Sequence, residues 1–349
     1  MTQRSTSSAA AYLTIDPTSP IFLRADCIFI PACLVSYTGH ALDEKTPLLR
    51  AGDALSREGV RLLSLLGYRC SSLEMQMGFE LEVFFVQREH FLERPDLQLT
   101  GRTLVGKAPP RGQQLHDHYM APISLASPVM ACMQEIQEQC FKMGIPLRTR
   151  HREVAPNQYE FSPMYGPANI RTDHDLLVMQ IIDEVSSQYG LTALFHEKPF
   201  RGMNGSGKHN NWSISTNDGT NLFNVARLAK KTKSRELFPI IMACLIQAVD
   251  EHGDLLLLAS ATPGNELRFG GFEAPSSVVS MYLGDSLTEF LSGYMNGSPE
   301  SYAPMSRFFD MGASALPPIE VPAEDRNRTS FFAYGGHRFE FRATGSSQV

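Results

Sequence analysis

The stretch GFELEVFFV, residues 78–86, alternates with a period of two. On a β-strand, side chains two positions apart point the same way. Glu80 and Glu82 therefore share one face of a strand, and Phe79, Leu81 and Val83 share the other. Two carboxylates side by side repel, and they need a cation or solvent between them. A half-buried strand with a wet polar face produces the same alternation. The pair alone leaves both readings open.

A second pair, Glu153 and Glu160, lies in EVAPNQYEF. Seven residues apart, they have opposite strand parity, and a turn at Pro156-Asn157 can reset it and let both reach one point. The alternative is two unrelated surface glutamates. In HRFEFRA, residues 337–343, Glu340 and Arg342 share one face, and Phe339 and Phe341 the other. That pattern also describes a plain same-face ion pair. His209 follows a glycine-rich loop in NGSGKHNNWS, residues 204–213. Glycines permit close approach of backbone to a ligand, although a lone histidine is more often structural. Five glutamates and one histidine suit a hard cation such as Mg²⁺ or Mn²⁺ better than zinc.

The rest of the chain bounds these readings. Its 349 residues suffice for one large domain or two ordinary ones. The net charge is −6, and the short cluster Lys230-Lys231-Thr232-Lys233 reads as a solvated face rather than a nucleic-acid stripe. Six cysteines at irregular spacing, with no CxxC, suggest reduced thiols and a cytoplasmic location. No run of about eighteen apolar residues predicts a membrane span. The Ser/Thr/Ala-rich start reads as a tail. Periodicity predicts helices over 42–66, 124–143, 172–189 and 236–250. The first carries a stripe of Leu49, Ala54, Leu55, Val60, Leu63 and Leu66, and the second is stopped by Gly144 and Pro146. Extended segments are predicted at 78–86, on both sides of the Pro156-Asn157 turn, at 191–200 and at 337–343. Such alternation implies an α+β or α/β fold.

Taken together, EVAPNQYEF, HEKPFRGMNGSGKHNNWS, FEAP and DRNRTSFFAYGGHRFEFR resemble glutamine synthetase, and closely its type III branch. VSYTGHALDEKTPLLRA, RPDLQLTGRTLVGKAPP and GIPLRTRHREVAPNQ also look like type III segments. The resemblance runs from about residue 26 to the end. It implies an α+β fold in which an antiparallel sheet forms part of a barrel flanked by helices. It implies two divalent metals, one on Glu82, Glu153 and Glu160 and the other on Glu80, His209 and Glu340. Asn204, Gly205, Arg268 and Arg342 match substrate-binding positions, Ser213 and Arg328 nucleotide positions, and Glu273 and Arg328 catalytic ones, Glu273 on a flap. The implied reaction joins ammonia to L-glutamate at the expense of ATP, through a γ-glutamyl phosphate.

Some features depart from the family pattern. Leu81 and Val83 stand where Gln and Tyr are usual, and Phe331 where Pro is usual. The resemblance divides the chain into residues 1–25, a disordered or residual N-terminal segment, and a catalytic domain over 26–349. The N-terminal β-grasp domain and a C-terminal extension are expected to be missing. Two expectations follow: an enzyme, or a non-catalytic relative that binds nucleotide and metal. As partners, the small substrates are expected, with a homo-oligomer or a mixed ring containing a full-length relative. Neither nucleic acid nor membrane is expected.

Overall fold

The structure, a computed structural model, describes residues 2–4, 11–107, 122–260, 266–270, 274–302, 304, 307–321, 323–324 and 329–348. At its N-terminal end, β1 (Thr2–Arg4), β2 (Ala11–Ile15) and β5 (Ala32–Ser36) form a three-stranded sheet in the order β1-β2-β5. β3 (Phe22–Arg24) and β4 (Cys27–Phe29) form a hairpin. Its turn residues Ala25 and Asp26 have φ of 46° and 63°. Residues 11–25, expected as a disordered or residual segment, carry β2 and β3, and the expected boundary after residue 25 falls inside a turn. Lys45, opening helix α1 (Lys45–Leu65), bridges Asp16 at 3.0 Å and Asp173 at 2.6 Å. This ties the N-terminal strands to the main body.

The main sheet is open. β6 (Leu73–Gln87), β7 (Leu147–Arg152), β8 (Gln158–Pro163), β11 (Lys208–Thr216), β12 (Met281–Tyr282), β15 (Phe332–Tyr334) and β16 (Phe339–Phe341) run in the order β12-β15-β16-β11-β6-β8-β7. The short β9 (Gly166–Pro167) and β10 (Leu191–Leu194) also pair with β6. Every pairing is antiparallel except β12 with β15. The remaining strands, β13 (Arg307–Phe309) and β14 (Ile319–Val321), make a separate hairpin. The described strands form no closed barrel.

Alternation along β6 does what the sequence requires. Leu81, Val83 and Phe85 pack into a core with Cys132, Met133 and Ile136 of one helix and Val178, Ile181, Ile182 and Val185 of another. Short helices Arg88–Leu92 (α2) and Pro95–Thr100 (α3) come first; the two core helices are α4 (Pro128–Lys142) and α5 (Ala168–Gln188). α4 starts at Pro128 rather than residue 124, because proline suits the first helical position and Ser127 accepts a hydrogen bond from the Val129 amide. It ends at Lys142, two residues before Gly144, whose φ is 73°. α5 begins directly after Pro167, four residues earlier than the periodicity suggests, and Asp173 serves the Lys45 bridge instead of a cap.

A second core lies under the other end of the sheet. It joins Leu63, Ile214, Phe223, Phe331, Tyr334 and Phe339 to helices α6 (Val225–Thr232), α7 (Leu237–Glu251) and α9 (Asp285–Met295), with α8 (Gly253–Leu258) between the last two. Of the α1 stripe, only Leu63 is fully buried. The three departures noted in the sequence all sit in these cores: Leu81, Val83 and Phe331 have no exposed surface. They pack behind the sheet and leave its polar face untouched. Among the described residues, no helix is long and apolar enough to cross a membrane.

Candidate active site

Register decides which polar side chains meet. Residues directly opposite on neighbouring antiparallel strands share a face. Glu80 of β6 lies opposite His209 of β11, and Asn211 lies opposite Glu340 of β16. Glu82 lies opposite Glu160 of β8, which lies opposite His151 of β7. One sheet face thus carries a continuous field of carboxylates and imidazoles, and the other face is the core.

Two trios form within it. Glu80, His209 and Glu340 each bring a ligand atom within 4.8 Å of the other two, and so do His151, Glu153 and Glu160. In the first trio, His209 Nδ1 is 3.4 Å from Glu80 and 3.9 Å from Glu340. Arg342 donates to Glu340 at 2.5 Å and lies 3.5 Å from the same histidine nitrogen. Burial, and then the Arg342 charge, hold the His209 pKa below its usual value. The ring is therefore neutral at pH 7, as a metal ligand must be.

In the second trio, His151 is 3.0 Å from Glu153 and 4.0 Å from Glu160. Burial pushes the Glu160 carboxyl up to about 8, and the charges of Glu80 and Glu153 add to the shift against a hydrogen bond from Ser162. The influence of Glu80 shows that the trios adjoin. The hydrogen bond to Glu153 raises the His151 pKa, with Glu160 adding. The turn after β7 does reset parity. Asn157 takes a left-handed φ of 59°, and the Glu153 amide donates to the Gln158 carbonyl.

Glu82, expected with Glu153 and Glu160, lies directly across from Glu160 in the register. Its Oε2 accepts the Gly207 amide at 2.6 Å, because the glycine loop passes directly over it. His151 also stands with Glu153 and Glu160, and the nearest signal in the sequence is that it lies two residues before Glu153. Gln158 was also missed: its amide nitrogen donates to the Gly205 carbonyl at 2.8 Å and holds the loop.

The loop explains its own glycines. A Cβ on Gly207 would lie 2.3 Å from Nε2 of His209, so the ring folds back onto bare backbone. Asn204 is buried beside Gly205. Arg268 is fully buried, and its Nη2 reaches the carbonyls of Ala343 and Thr344 at 3.4 and 3.2 Å. Its Nε and Nη1 have no partner among the described residues. Burial lowers its pKa to about 10, against the charges of Glu197 and Glu82. Ser213 lines a cleft of about 850 Å³ that also takes in Glu80, Glu160, Asn211 and Arg338. Arg338, likewise missed, is held by Asn211 at 2.8 Å. Glu273 and Arg328 lie outside the described residues.

The family model described as the glutamine synthetase catalytic domain matches residues 61–255. The chain belongs to the glutamine synthetase family. The model for the type III glutamine synthetase N terminus matches residues 2–51, the segment built around β1 to β5. Type-3 glutamine synthetase of Dictyostelium discoideum is 44% identical over 351 residues, covering 99% of this chain and 47% of that protein. Glutamine synthetase of Bacteroides fragilis is 40% identical over 350 residues, with the same coverage of 99% and 47%. The chain thus spans about half the length of these two relatives. Among solved structures, glutamine synthetase of Plasmodium falciparum superposes with a TM-score of 0.59 at 20% identity, covering 99% of this chain and 60% of that one. Ligand-free GmaS gives a TM-score of 0.60 at 17% identity, covering 98% and 63%. Both show the shared glutamine synthetase fold.

Proposed function

We propose that this chain is a glutamate–ammonia ligase, forming glutamine from L-glutamate, ammonia and ATP. The observation that carries the reading is the pair of carboxylate–imidazole trios side by side on one sheet face. The names of its type III relatives support it.

The donor set fits hard divalent cations. Each trio offers two carboxylates and one imidazole; burial, and then the charges of Glu80 and Glu153, raise the Glu160 pKa, and a bound cation would offset both. Glu80, His209 and Glu340 would hold one Mg²⁺ or Mn²⁺, and Glu82, Glu153 and Glu160 the other, with His151 beside Glu153. When bound, such cations screen the ATP phosphates from the glutamate carboxylate and polarise the transferring phosphoryl group.

The chain's own groups then bind and orient. Nε and Nη1 of Arg268 would meet a carboxylate of the amino acid, for which a planar guanidinium is suited. Asn204 and Gly205 keep the substrate roles implied by resemblance. Arg342 steadies Glu340. Ser213 and Arg338 line the cleft that would take the nucleotide. A side-chain carboxylate oxygen of glutamate attacks the γ-phosphorus and ADP leaves. Ammonia then attacks the γ-glutamyl phosphate and phosphate leaves. Glu273 and Arg328 keep the flap and phosphate roles implied by resemblance.

Phosphate release by the purified chain, dependent jointly on L-glutamate, ammonium, ATP and Mn²⁺, tests the reading. Binding of Mn²⁺ and ADP without phosphate release would identify a non-catalytic relative, and binding of neither would refute both. The proposal extends to a cytoplasmic location and to assembly as a homo-oligomer or a mixed ring with a full-length relative. Ile21, Leu23, Ile28 and Ile30, all exposed on the β3–β4 hairpin and its flanks, support an interface there. Light scattering checks the assembly.

A further inference from the structure

Glu197 stands between β10 and the glycine loop and is only 2% exposed. Its Oε1 accepts two hydrogen bonds from one residue near the other end of the sequence, Ser347: the amide at 3.0 Å and the hydroxyl at 2.5 Å. A Cβ on Gly345 would fall 2.1 Å from that same oxygen, so the 343–347 turn closes onto the carboxylate where only glycine fits. The turn is joined to the glycine loop as well. Gly207 bridges Gly345, and the Lys208 amide donates to the Thr344 carbonyl at 2.9 Å. The Glu197 carbonyl in turn accepts the Ser206 amide at 2.8 Å. One residue thus fastens the turn by its side chain and the loop by its backbone.

The turn carries the carbonyls of Ala343 and Thr344, and these hold Nη2 of Arg268. With that nitrogen fixed, Nε and Nη1 remain buried without partners among the described residues. Buried donors of this kind are rare in a folded protein unless a ligand meets them. Their direction depends on where the turn puts its carbonyls, and the turn is placed by Glu197.

We propose that Glu197 is a positioning residue for the amino-acid site, aiming Arg268 through the 343–347 turn and setting the Asn204–Gly205 loop. It touches no substrate itself. The role rests on the reading that Arg268 and this loop bind L-glutamate.

Calorimetric titrations of L-glutamate and of ADP, each in Mn²⁺ buffer, test it on the full chain. Glu197→Ala removes a charge-assisted acceptor and is expected to weaken L-glutamate binding about ten-fold or more. ADP binding, assigned to the cleft lined by Ser213 and Arg338, stays within about two-fold, inside the variation of surface effects. Glu197→Gln keeps an oxygen for Ser347 and recovers most of the glutamate affinity. Should the alanine variant fail to fold, Ser347→Ala removes one of the two hydrogen bonds and is expected to weaken glutamate binding about three-fold. Equal loss of both ligands, or a lowered melting temperature with glutamate binding unchanged, overturns the role. A wild-type chain that binds ADP but no glutamate overturns both the role and the reading beneath it. A wild type that binds glutamate as well as its Glu197→Ala variant overturns the role alone.

Discussion

Gly207→Ala would test whether the glycine loop is a cradle for His209. Gly207 is not among the residues with left-handed φ, so alanine suits its backbone. By itself the change would stabilise the fold by about 0.4–1 kcal/mol through the unfolded chain. Against this stands contact. The new Cβ would lie 2.3 Å from Nε2, 2.6 Å from Cδ2 and 3.2 Å from Cε1 of His209, so it meets the ring broadly rather than one flexible tip. Restoring ordinary contact moves the ring by roughly 1 Å, and overpacking of this kind costs about 1–3 kcal/mol. The net expectation is a loss of about 1–2 kcal/mol in a chelator-treated melt. A displaced ring also leaves its place beside Glu80 and Glu340. Mn²⁺ affinity at that trio should fall about 10–100-fold, as it does when a residue that orients a ligand is changed. Electron paramagnetic resonance of free Mn²⁺ gives the affinity. His209→Ala should lose a similar amount, and Gly207→Ala added to it should lose no more, because the ring that clashed is gone. A Gly207→Ala protein with unchanged melting and unchanged Mn²⁺ affinity would refute the cradle.

Three further outcomes follow from the same geometry. Glu160 has a folded pKa of about 8 against an ordinary 4.5, so the native metal-free protein binds the extra proton. Its contribution to stability is full below pH 4.5 and is lost as pH rises through about 8. The melting temperature of the chelated protein should fall across that window and fall less in Glu160→Gln; equal slopes would refute the assignment. Lys208 and Asp175 form a buried ion pair at 2.7 Å behind the sheet, so Lys208→Met alone should cost about 3–5 kcal/mol in urea unfolding. Adding Asp175→Leu should recover most of that loss, and a mild single variant would refute the burial argument. Asn157→Ala should cost about 1–2 kcal/mol at its left-handed φ, with Asn157→Gly close to neutral; thermal melts that rank the two the other way would refute the turn's role.

Local patterns carried much of this protein in the sequence itself. The alternation of residues 78–86 placed Glu80 and Glu82 on one strand face and the apolar side chains on the other, because a strand repeats every two residues. Gly144 and Pro146 marked the end of α4, since one permits a left-handed φ and the other cannot continue a helix. Residues 208–216 gave no such signal. KHNNWSIST is polar on the face toward the site, and Lys208 is buried on the other, paired with Asp175. The strand lies centrally in the sheet because its neighbours bury it. Nor could spacing say that residues 11–15 pair with 32–36, which depends on a partner seventeen and more residues away.

The placing of Glu82 and His151 around Glu160 shows the same limit at the site. Both have the right parity, and both flank Glu160 in the register. How each is placed depends on the glycine loop, whose Gly207 amide donates to the Glu82 carboxylate, and on the turn at Asn157, which brings Glu153 beside His151. Periodicity is a property of one segment and is written in it. The meeting of side chains from β6, β7, β8, β11 and β16 is a property of their register, and register is set only when the sheet closes over its two cores.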